Sequence, residues 1–176
     1  LKLLAQIPTN GAAVRRHGHR FALHENYVDY YPNYEHFNRA DISTTSDGEM
    51  EKAWYNSGTK IQSFAVKPSG MVRLARGQSP EIHRRYSTDA SFVDVKSCVP
   101  PWFHVDFEPG LPEAGSMQAV IAAHRALWAH GREVHGGPMT GEGNLHWFWS
   151  GWLDGVEAQF GTGWGHNAGR LAPLLV

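Results

Sequence analysis

The sequence predicts an α/β fold with parallel strands, on three observations. Strand-like and helix-like patterns alternate along the chain, which is the arrangement of βα units. Residues 91–95, Ser-Phe-Val-Asp-Val, form a short apolar run of the kind buried on both faces of a parallel sheet. Residues 117–130 repeat apolar side chains at three–four spacing, the stripe of a helix that covers such a sheet.

In order, LKLLAQI is the end of a helix and AAVRR a short helix stopped by Gly18. RFALH (20–24) is the first strand. The stretch from Glu25 to Lys60 has little periodicity and is aromatic, and a loop this long inside a domain is usually functional. IQSFAV (61–66) is the next strand, closed by Lys67 and Pro68. A helix capped by Ser69 is broken at Gly77, and Ser79-Pro80 starts another, because proline suits a first helical position. Strand 91–95 leads into a proline-rich loop that is rigid and non-helical. Helix 117–130 is capped by Ser116 and stopped by Gly131. A strand over 133–140 leads into Gly141-Glu142-Gly143. HWFWSGWL (146–153) is a short aromatic helix, DGVEAQF (154–160) a strand, and LAPLLV a last strand. The parallel strands are expected at 20–24, 61–66, 91–95 and 133–140, in that spatial order. Five or six strands are too few to close an eight-stranded barrel, so the expected architecture is a partial TIM (β/α)8 barrel.

At 176 residues the chain is long enough for one domain with its own core. Its 16 basic and 17 acidic side chains nearly cancel and form no run, which argues against nucleic acid or an anionic membrane as partner. No apolar run reaches the roughly 20 residues that span a bilayer. The single Cys98 forms no internal disulfide. The chain begins at Leu1 and stops within an apolar run, so residues 1–176 are expected to be part of one barrel domain truncated at both ends, inactive when excised.

The chemistry centres on two carboxylates. A charge in a buried strand is costly unless it sits at the strand's end facing a pocket, and barrel chemistry is carried at the strands' carboxyl ends. Asp94 sits near such an end, and Glu142 follows the next predicted strand after one loop and one helix. A crossover connection makes those strands neighbours, about 4.8 Å apart. Carboxyls at about 5–6 Å would then suit a retaining glycosidase, in which one attacks the anomeric carbon and the other protonates the leaving oxygen. The plainer alternative is an Asp capping a turn and a Glu in a solvated loop.

HENYVDYYPN, the VDV strand, the helix around HRAL, and GEG followed by an aromatic run ending in DGVEAQ resemble a family of barrel glycoside hydrolases, the endo-α-N-acetylgalactosaminidase-like enzymes. The resemblance covers roughly residues 20–160. It implies that Asp94 is the nucleophile and Glu142 the acid/base. It also implies that the substrates are O-glycosidic bonds in oligo- or polysaccharides or glycoconjugates, and a secreted or periplasmic setting. The family usually has a small or aromatic residue where this chain has Lys96, and an aromatic where it has Gly143. The resemblance therefore carries the two carboxylates and not the identity of the sugar.

Substrate-binding candidates are His24, Asn26, Tyr27, Asp29 and Tyr31 just after the first strand, where polar groups and aromatic rings suit sugar hydroxyls and faces. A structural Tyr-rich loop is the alternative there. Lys67 and Lys96 each follow a strand, although such lysines are more often solvated. Trp102, His146, Trp147, Trp149 and Trp164 in the loops offer flat rings, and Gln159 ends the last matched motif. No metal and no cofactor is expected, since the 11 histidines show no closed-site spacing. Two other functions stay open: a metal-dependent barrel hydrolase using His24, His135 or His146, and a non-catalytic carbohydrate-binding relative. Asp29 and Glu157 are the reserve carboxylates.

Overall fold

The computed structural model describes residues 2–143 and 145–157. Gln159, Trp164, the end of the 154–160 strand and the LAPLLV strand lie outside them. The chain runs α1 (Lys2–Arg16), β1 (Ala22–Glu25), β2 (Asp29–Tyr30), β3 (Lys52–Asn56), β4 (Ile61–Ala65), α2 (Pro68–Tyr86), β5 (Ala90–Val93), α3 (Met117–His135), β6 (Met139–Gly141) and β7 (Gly155–Val156). The alternation of strand and helix produces a parallel sheet in the order β1-β5-β6-β7. Its register aligns Glu25 with Val93 and Val93 with Gly141. Among the described residues no helix is long and apolar enough to cross a membrane.

One expected strand is corrected. Residues 61–66 do not join the parallel sheet: β4 is the middle strand of a separate antiparallel sheet, β2-β4-β3. The reason is local. No α-helix separates 24 from 61 to make a crossover, only a single 3-10 turn at Arg39–Asp41. Instead Asn56-Ser57-Gly58-Thr59-Lys60 makes a hairpin turn, in which the Asn56 side chain accepts from the Gly58 and Thr59 amides, both at 3.0 Å. The long aromatic stretch is thus partly strand, and it forms a flap beyond the end of β1.

The helices are longer than the sequence breaks suggest. α2 passes through both Gly77 and Pro80, and α3 continues through Gly131 to His135. In α2, Gly77 and Pro80 lie on the exposed face, while Met71, Ala75 and Ser79 bury the opposite one. Packing against α3 outweighs the propensity cost of roughly 1 kcal/mol for an exposed glycine. In α3, Val120, His124, Leu127, Trp128, Gly131 and His135 form the buried stripe. Gly131 is a packing glycine, since a Cβ there would lie 2.5 Å from Met139 Sδ. The stop is Gly136, at φ 67°. The expected strand 133–140 shrinks accordingly to β6. AAVRR and LKLLAQI are likewise one helix, α1. The aromatic helix expected over 146–153 is a short 3-10 turn, His146–Trp149.

The core joins both sheets and the helices. Tyr30, Ile42 and Val66 from the flap pack with Val93, Met139, Leu127, Trp128 and Trp149. The flap is therefore fixed over the carboxyl end of β1 and α2's first turn.

Candidate active site

Because Glu25, Val93 and Gly141 share one register row, Asn26, Asp94 and Glu142 are the next residues on three adjacent parallel strands. The strands end there, and Asp94 leaves the ladder while its amide still donates to the Glu25 carbonyl at 2.9 Å. Asn26 links two carboxylates: its Nδ2 donates to Asp29 Oδ2 at 2.8 Å and to Asp94 Oδ2 at 3.0 Å. Its Oδ1 accepts from the Val28 and Asp29 amides, both at 2.8 Å, which fixes which way the amide faces. Asp29 Oδ1 in turn accepts from the Ser63 hydroxyl and the Trp54 amide.

His24 Nε2 lies 3.4 Å from Asp94 Oδ1, and its ring stacks on Phe92. Burial raises the Asp94 carboxyl above its usual value, the His24 partner opposes this, and the Glu142 and Asp29 charges raise it further. Glu142 Oε2 accepts from the Val95 amide at 3.0 Å and from the Cys98 thiol at 3.2 Å.

His24, Asn26, Asp29, Asp94 and Glu142 therefore meet at the carboxyl ends of β1, β5 and β6. Tyr31 lines a cavity of about 220 Å³ with Asn26, Asp29, Tyr34 and Gln78, next to that group. A larger groove, about 610 Å³, lies between α2 and α3 and carries none of these residues. Trp102 and Trp147 are exposed on the loops after β5 and β6, each in ring contact with Phe148. His146 is exposed beside Trp147. Trp149 is core, with its indole N–H donating to the Val99 carbonyl at 2.9 Å.

Three further binding candidates are corrected. Tyr27 is 3% exposed and its hydroxyl is held by Glu25 at 2.6 Å and Ser79 at 2.8 Å, so it is a core residue. Lys67 is buried in an ion pair with Glu108, with Asp106 Oδ2 4.0 Å away. Lys96 is fully buried, and its Nζ has no hydrogen-bond partner among the described residues. Burial lowers its ammonium to about 8, against the nearby charges of Glu51 and Asp29.

The sequence reading missed Glu25. Its buried carboxylate accepts from Tyr27, Ser79, Ser91 and His135, at 2.5–2.9 Å. Burial alone would raise it, but these donors together hold it down at about 2. The signal was present: an acidic residue directly after a predicted strand. His135 spends its second ring nitrogen on Thr88, at 2.6 Å. Of the histidines a metal site would use, His24 lies at Asp94, His135 lies beneath the sheet end and His146 is on an outer loop. Among the described residues no group of three His, Cys, Asp or Glu side chains is arranged to hold a metal ion.

Parallel strands flanked by helices, with carboxylates at the strands' carboxyl ends, have the architecture of part of a (β/α) barrel. Solved structures bear the fold out. An alpha-N-acetylgalactosaminidase from Bifidobacterium bifidum superposes with a TM-score of 0.68 at 17% identity, over 82% of this chain and 23% of its own. An alpha-galactosidase from Thermus thermophilus, in complex with stachyose, gives 0.58 at 15%, over 85% and 30%. An alpha-amylase from Malbranchea cinnamomea gives 0.52 at 14%, over 87% and 32%. The chain thus spans between about a quarter and a third of the length of these enzymes. No family model matches the chain, and no curated protein matches it either.

Proposed function

We propose that this chain supplies the catalytic carboxylates of a glycosidase that cleaves O-glycosidic bonds in oligo- or polysaccharides or glycoconjugates. The observation that carries the reading is the row Asn26, Asp94, Glu142 beyond three adjacent parallel strand ends. Asp94 is the nucleophile: His24 and Asn26 orient its oxygens, and as a carboxylate it attacks the anomeric carbon. Glu142 is the acid/base. It protonates the leaving oxygen and then takes a proton from the attacking water, so configuration is retained. Exposed Trp102 and Trp147 offer rings for neighbouring sugars, and Tyr31 flanks the cleft. That the Bifidobacterium enzyme is also known as a GalNAc complex supports an acetamido sugar or a galactose relative as the first to try.

The test is kinetic, on the intact protein. Asp94→Asn should abolish turnover, because an amide cannot act as an anionic nucleophile. Glu142→Gln should slow substrates with poor leaving groups by about 10²–10⁴-fold and activated aryl glycosides far less. The first sugar released, followed by proton NMR, should keep its anomeric configuration. Near wild-type rates in both variants would remove the assignment and turn attention to Asp29 and Glu157.

A further inference from the structure

We propose that the turn Val95–Cys98 is a latch that positions the Glu142 carboxylate, with Cys98 as its positioning side chain. The proposal rests on the reading of Glu142 as the acid/base, but the latch can be tested without turnover. Val95 has φ 61°, in the left-handed region that a β-branched residue rarely enters. Such strain persists only where surrounding contacts enforce it, and it concentrates at functional sites. Here the contacts converge on one residue. In this conformation Val95 presents its amide to Glu142 Oε2 at 3.0 Å. The turn is closed by the Cys98 amide on the Val95 carbonyl at 2.8 Å, which brings the Cys98 thiol to the same oxygen at 3.2 Å.

The main chain at Glu142 is held by the same turn. The Ser97 hydroxyl donates to the Glu142 carbonyl at 2.7 Å. The preceding Gly141 leaves room for this approach, since a Cβ there would lie 2.2 Å from Ser97 Oγ. Asp94 directly precedes the turn, and its carbonyl accepts from the Lys96 amide at 2.6 Å. One short segment therefore carries one carboxylate and grips the other, and its covalent geometry sets their relative placement. Burial and the adjacent carboxylate push the Cys98 thiol well above its ordinary value, so it keeps its proton and donates. Cys98 is the only cysteine of the chain.

That singularity supplies the experiment, because the S–H stretching band of this chain comes from one group. In the wild type the band should lie below that of a solvated thiol. In Glu142→Gln, which keeps the shape and weakens the acceptor, it should move up towards the free position. Cys98→Ala should lower kcat about tenfold with KM within about twofold, and Cys98→Ser, which restores a donor, should recover most of the loss. A band that ignores Glu142→Gln overturns the latch, as does a Cys98→Ser variant no better than Cys98→Ala. A band that responds in a protein without glycosidase turnover upholds the latch and overturns the proposed function instead.

Discussion

Two buried charges show how single residues set the pH behaviour. Glu25 is held at about 2 against an ordinary 4.5, so its contribution is fully present above pH 4.5 and lost as pH falls through 2. Removing that anion from its donors strands the hydrogens of Tyr27, Ser79, Ser91 and His135. Glu25→Gln should therefore cost about 2–4 kcal/mol at neutral pH, read by urea denaturation, and much less near pH 2. Lys96 behaves oppositely. Its ammonium is lowered from 10.5 to about 8, so below pH 8 the folded state carries a buried charge that the unfolded chain holds more easily. Stability should rise between pH 8 and 10 as that proton is lost. Lys96→Met should be the more stable protein at pH 7 by about 1–3 kcal/mol, with the gap closing by pH 10. An equal difference at both values would mean that Lys96 keeps its proton up to pH 10, as it does in the unfolded chain.

At the scale of elements, close approaches decide what each position tolerates. A Cβ on Gly137 would lie 1.9 Å from the Asp89 carbonyl oxygen, where the chain leaving α3 passes the entry to β5. The obstacle is backbone and cannot rotate away. Gly137→Ala should cost about 1–3 kcal/mol or more and shift the β5–β6 register, visible as lost amide protection at Ser91 and Met139. Gly77→Ala is the contrast. That glycine lies in α2 with open space beyond it, so alanine should stabilise by up to about 1 kcal/mol. The hairpin β3–β4 illustrates the same rule in reverse: its turn residues, not its apolar pattern, chose an antiparallel partner.

Over the whole molecule, one core joins the parallel sheet, the two long helices and the flap through Trp128 and Trp149. Their rings meet at 5.3 Å, and His124 packs on both. Trp128→Ala should cost about 3–5 kcal/mol and loosen the flap together with the sheet, because both lean on that cluster. Amide exchange should be slowest in β5 and α3 and faster in β3, whose side chains are largely exposed. Exchange as slow in β3 as in β5 would contradict a single core centred on α3.

What was legible in the sequence was local and periodic. The alternation of elements, the Ser116 cap, the three–four stripe of α3 and the apolar run ending at Asp94 are consequences of backbone geometry and side-chain burial within a few residues. They were enough to place Asp94 near the end of one strand and Glu142 after the next predicted one, while the one-step offset from both ladders came from the structure. What only the tertiary structure decided depended on partners far along the chain. The breaker signals at Gly77 and Pro80 gave way because the opposite face of their helix is buried, and the one at Gly131 because that glycine is itself part of the buried stripe, against Met139. The same lysine-after-strand pattern turned inward twice: Lys67 towards Glu108 and Asp106, and Lys96 into the interior. Tyr27 went to the core because Glu25 and Ser79 wait there for its hydroxyl. Local sequence chooses an element and its facing, but whether a polar group meets solvent, a ligand or a buried counterpart depends on what the rest of the fold brings against it.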